Sequence, residues 1–158
     1  MVEEDEVIEL NFLIEKLENT PKQPVEIANL KYQKFCQGIM ERMLSSGNSY
    51  GEISDSMDHL MRPDFKEYMK SIDNNLARQV DITNKCVDTW FEKGEKIAPY
   101  YPWRITVILR KEKLFDLERR FLAAYCRHFY GLVGGRYEMI AARAVKIGVN
   151  PNGEIDYA

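Results

Sequence analysis

The sequence predicts an all-α protein, a single-domain helical bundle or a short solenoid-like array of antiparallel helices. Three observations predict it. Apolar residues recur at three- and four-residue steps along most of the chain. Pro, Gly, Asn and Ser gather in short breakers between those periodic stretches. No stretch alternates apolar and polar residues as a half-buried strand does. Residues 1–148 are expected to form one helical domain, with residues 149–158, which carry Asn150-Pro151-Asn152-Gly153, as a turn and tail.

Along the chain, Val7, Leu10, Ile14 and Leu17 lie at helical spacing, with Ile8, Phe12 and Leu13 widening the face, so a first helix is expected over 4–19. Its first turn is acidic, which suits the positive end of a helix dipole, and Thr20-Pro21 with Pro24 stops it. A longer helix follows over 25–45 with Ile27, Leu30, Tyr32, Phe35, Ile39, Met40, Met43 and Leu44, closed by Ser45-Ser46-Gly47-Asn48. Ser49 and Glu52 have the spacing of a capping box and open a short helix through Ile53, Met57, Leu60 and Met61. Pro63-Asp64 starts another through Phe65, Tyr68, Met69 and Ile72. Leu76, Val80, Thr83, Val87, Trp90 and Phe91 give the helix expected to pack against what comes next, ending near Gly94.

The chain is organised around residues 99–129. Ile105, Ile108 and Leu109 on one side of a short charged turn, and Leu114, Leu117, Phe121, Leu122, Tyr125 and Phe129 on the other, put one apolar face on each of two helices. Pro102 suits a first-turn position, where its missing N–H is no loss. The turn at 111–115 is short enough to demand a helical hairpin. After it, Gly131, Gly134 and Gly135 form a turn, and Tyr137, Ile140, Ala141, Ala144, Val145 and Ile147 a last helix closed by Gly148.

The hairpin resembles a degenerate tetratricopeptide-type repeat, a two-helix unit of about 34 residues that stacks into solenoids. Ile105 and Leu109 fall on the large positions of its first helix, Thr106 on the small one, Phe115 on the aromatic after the turn and Leu122 on the large position of the second helix. Glu118 and Tyr125 depart from the pattern, standing where such repeats carry Ala. The resemblance implies a protein-binding scaffold.

Charge is distributed unevenly. The net charge is −3, yet residues 1–100 carry 12 Lys and Arg against 19 Asp and Glu, while residues 101–150 carry 10 against 4. Two explanations stand open: the basic half faces an external anion, or it pairs with the acidic half, within one chain or across a homodimer. Arg is favoured where planar anions are gripped.

The nearby aromatics Trp90, Phe91, Tyr100, Tyr101 and Trp103 supply the residue types that anchor recognition surfaces. The candidate partner-binding set is therefore Tyr100, Tyr101, Trp103, Arg104, Arg119, Arg120 and Arg127. The expected function is a non-catalytic protein–protein interaction module acting around 99–129, with a protein partner or a second copy bound. The alternative is nucleic-acid or polyanion binding through the Arg-rich half, against which the acidic sequence pI of about 5.5 counts.

Catalysis is expected to be absent, for want of a nucleophile and base at workable spacing. Cys126 and His128 are two residues apart and point in different directions on a helix, and no second pair completes a zinc site, so no metal or cofactor is expected. The turn at 131–135 lacks the Lys-Ser/Thr and preceding strand of a phosphate loop. Cys36, Cys86 and Cys126 lie far apart in apolar helical stretches, as buried thiols do. No apolar run reaches the roughly 20 residues of a membrane span, and an acidic start unlike a targeting peptide points to the cytoplasm.

Overall fold

The computed structural model describes residues 1–47, 58–129, 131–132, 134–150 and 152. Among the described residues there are seven α-helices and no strand, which makes the protein an all-α bundle. The helices are α1 Glu4–Asn19, α2 Val25–Ser46, α3 Phe65–Ile72, α4 Leu76–Lys93, α5 Tyr100–Lys111, α6 Phe115–Phe129 and α7 Gly135–Lys146, with a 3₁₀ turn at Asp58–Met61. The capping box expected at Ser49 and Glu52 lies outside the described residues. Of the helix expected to follow it, residues 58–61 form that 3₁₀ turn.

The chain divides into two compact units, one built from Met1–Lys22, Leu76–Val80 and Pro99–Ala158, the other from Gln23–Asn75 and Asp81–Ala98. Helix α4 contributes its first residues to the first unit and the rest to the second.

In the first unit α6 is the central helix. Helices α1, α5 and α7 all pack on it, and α7 also reaches α5. That centrality follows from composition, because α6 is apolar or small over most of its circumference from Phe121 to Phe129 and so can be buried nearly all round. Its Phe121 and Leu122 are fully enclosed, as are Leu10, Ile14 and Leu17 of α1, Ile105 and Leu109 of α5 and Ile140 of α7. The turn between α5 and α6 is closed by Leu114 N–H donating to the Leu109 carbonyl at 2.9 Å. Lys113 sits there at φ 59, a left-handed conformation that a non-glycine residue adopts at some cost. Glu6 serves two helix starts: one carboxylate oxygen accepts the Glu3 N–H at 3.0 Å, and the other accepts the Ala77 N–H at the opening of α4 at 2.9 Å.

In the second unit the first half of α2 meets the C-terminal end of α4 through a narrow seam. Gly94, at φ 68, ends α4, and a Cβ placed on it would stand 2.0 Å from the Ala28 carbonyl oxygen of α2, so only glycine fits. Beside that approach Lys31 of α2 donates to the Gln23 side chain at 2.6 Å and to the Phe91 carbonyl at 2.7 Å, while Gln23 donates to the Trp90 carbonyl at 3.0 Å. A cation and an amide thus satisfy the last carbonyls of α4, where the negative end of the helix dipole lies. The 3₁₀ turn and α3 pack together, with the His59 ring stacked on Phe65 and the Arg62 guanidinium 4.1 Å from the Tyr68 ring centre.

Candidate binding surfaces

The aromatic loop before the hairpin is only partly a surface. Tyr101, one of the expected anchors, is 3% exposed and belongs to the core. The physical reason is helical phase. Tyr101 is four residues before Ile105, on the buried stripe of α5, whereas Tyr100, Trp103 and Arg104 turn towards the helix flank and are half-buried. Tyr100 packs edge-on against Tyr101 and carries the Arg136 guanidinium 5.1 Å from its ring centre. The Arg110 guanidinium lies 5.7 Å from the Trp103 ring centre. These contacts occupy faces through which the two half-buried rings would stack on an external cation.

The arginines of α6 are engaged within the first unit. Arg120 donates to both Glu18 carboxylate oxygens, the shorter contact being 2.7 Å, and to the Asn11 side chain at 3.3 Å. Arg127 donates to the Leu17 and Glu18 carbonyls at 3.0 and 2.6 Å. His128 Nε2, on the next residue, donates to the same Leu17 carbonyl. Together they cap the C-terminus of α1 in the manner that Lys31 and Gln23 cap α4. Arg119 reaches the Ile147 carbonyl at 3.0 Å and Asp116 at 3.2 Å. Of the two readings of the charge asymmetry, the internal one is therefore realised at Arg120, whose partner is an acidic residue of α1.

A charged side chain, Glu118, lies inside the first unit. It is fully buried and accepts two hydrogen bonds from Arg143 of α7, at 2.9 and 2.8 Å, and one from the Thr106 hydroxyl of α5. The carboxylate that stands where the repeat pattern calls for Ala thus ties three helices together. Burial holds the His128 imidazole below its ordinary value, with Arg127 and Lys22 acting in the same direction against the Leu17 hydrogen bond. Burial also pushes the Cys126 thiol up to about 12, which keeps it protonated at neutral pH.

Cys126 borders a cleft of about 180 Å³ between the end of α6 and the start of α7, lined also by Tyr125, Phe129, Leu132, Tyr137 and Ala141. Among the described residues no three His, Cys, Asp or Glu side chains come close enough to share a metal ion, and no helix is long and apolar enough to cross a membrane.

Among the described residues, α2 carries more exposed large apolar side chains than any other helix. Only Ala28 and Ile39 of α2 are buried. Leu30, Met40 and Leu44 are 61%, 63% and 84% exposed, flanked by exposed Ile27 and Met43. Leu30, Gln33, Gln37, Met40 and Leu44 follow each other at three- and four-residue steps, so they form one exposed stripe. Reading the helix as one apolar face misses it. The signal is present in the sequence, because apolar residues cover more of α2 than a single core contact can use. No protein-family model, curated protein or solved structure matches the chain.

Proposed function

We propose that the protein is a non-catalytic binding module whose docking surface is the exposed stripe of α2, and whose ligand is an amphipathic helix presented by a protein. The carrying observation is the exposure of Leu30, Met40 and Leu44 along one line of a 22-residue helix. With Gln33 and Gln37 between them they stand at three- and four-residue steps, the spacing by which helices dock on one another. Ile27 with Leu30, and Met40 with Met43 and Leu44, form two exposed apolar clusters, and clustered apolar residues mark an interaction site where singly scattered ones do not. The hairpin at 99–129 then acts as the scaffold of the first unit, with Tyr100, Trp103 and Arg104 half-buried along its flank. The polyanion alternative would draw on Arg119, Arg120 and Arg127, each of which already donates to an acceptor within the protein.

The test is fluorescence anisotropy with a labelled amphipathic peptide of three heptads, carrying Leu at its outer core positions and Gln at the two central ones. The wild-type protein should bind it, and Leu30→Asp with Leu44→Asp should weaken binding at least tenfold while leaving the helical circular dichroism unchanged. Absence of binding by the wild-type protein overturns the reading.

A further inference from the structure

We infer that the helix docked on this stripe is α2 of a second copy of the same chain; the inference rests on the docking reading above. Three features of the stripe select a self-partner.

Its composition is the first. Leu30, Gln33, Gln37, Met40 and Leu44 occupy the alternating core positions of a heptad seam, and every one of them is exposed. The stripe carries no formal charge, and its two central polar residues are carboxamides. A carboxamide both donates and accepts, so an identical group on a facing helix can satisfy it, whereas a wholly apolar partner would leave Gln33 and Gln37 buried without hydrogen bonds. A two-fold interface uses the same patch on both subunits, which requires a patch that is complementary to itself.

Charge along the flanks is the second. Glu26 and Glu41 are offset by Lys34 and Arg42, while Lys31 is turned to the end of α4, so two copies of α2 meet without a net like charge between them. The third is area. Ile27, Leu30, Met40, Met43 and Leu44 together expose roughly 600 Å² of mainly apolar surface, against about 800 Å² per partner in a standard stable interface. A seam smaller than a standard interface suits a dimer in reversible, concentration-dependent exchange with monomer.

Sedimentation velocity on the full chain across the micromolar range tests the inference. The wild-type protein should pass from monomer to dimer as concentration rises. Leu30→Asp with Leu44→Asp should remain monomeric with unchanged helical circular dichroism, since the substituted side chains are solvent-facing. Gln37→Glu, which sets two carboxylates against each other on the seam, should weaken the dimer at least tenfold at neutral pH and recover it on acidification. A wild-type protein that stays monomeric yet binds the labelled heptad peptide overturns self-pairing and leaves the docking reading standing. A monomer that binds no peptide overturns both. A dimer indifferent to all three substitutions overturns self-pairing through α2.

Discussion

Helices α6 and α2 are both long, periodic and rich in charge, yet they have opposite fates. Nine of the 15 residues of α6 are buried, and its arginines reach acceptors within the protein. Two of the 22 residues of α2 are buried, and its largest aliphatic side chains face solvent. The helix with the more conspicuous functional residues is structural, and the plainer one carries the open surface. Arginine is informative about function only when its acceptors lie outside the protein, and an apolar residue only when nothing covers it.

The sharpest way to break this comparison is at Glu118. Arg143→Ala would leave a fully buried carboxylate facing only the Thr106 hydroxyl, and should lower stability by about 3–5 kcal/mol in denaturant unfolding. Replacing both members together, Glu118→Leu with Arg143→Leu, should recover most of that loss, because the desolvated charge is gone. If the single substitution costs less than about 1 kcal/mol, α6 is not held as described.

The hold on α2 is as narrow as that on α6 is broad. Gly94→Ala forces a Cβ to 2.0 Å from the Ala28 carbonyl at a left-handed φ, and should cost more than about 2 kcal/mol by the same measurement. Backbone must move there, since the obstructing atoms are not side-chain ends. A neutral result would mean that α2 is free to shift on α4.

The cap on α1 gives a smaller, pH-dependent effect. His128 is held neutral by burial, below the ordinary value of 6.5, so the unfolded chain binds its proton more readily than the folded one. Its contribution is fully present above pH 6.5 and is lost as pH falls from there through the folded value. Stability followed by denaturant unfolding should therefore decline as the solution is acidified below neutrality. The His128→Gln variant should lack this component of the decline. Equal slopes in the two proteins would remove His128 as the cause.

The smallest effect is expected on the stripe itself. At concentrations where the chain is monomeric, Leu44→Ser should change stability by less than about 0.5 kcal/mol, as exposed substitutions do. Leu122→Ala in the core of α6 should cost about 2–5 kcal/mol. A large loss at Leu44 would show that the residue is packed after all.

Much of the bundle was legible in the chain. Helix α1 spans Glu4–Asn19 as its spacing and acidic first turn require, and α2 starts at Val25 after Pro24 and ends at Gly47 in the left-handed conformation that favours glycine. Helix α4 closes at Gly94, and the hairpin turns where Lys111 meets the charged run. These features are local. A cap, a proline or a three-residue step acts within a turn or two, so the residues that cause it are adjacent in sequence.

The surfaces were decided otherwise. Whether Tyr101 faces in or out depends on its phase relative to the helix packed against α5, and whether Arg120 is available depends on Glu18, 102 residues earlier. Glu118 reads as a misfit in a helix pattern until Arg143 is brought beside it. The stripe of α2 is open only because the seam through Ala28 and Gly94 uses so little of the helix. Periodicity states that a side chain has an apolar preference. Which apolar faces are covered, and which charges are answered, is set by long-range contacts that no local pattern encodes.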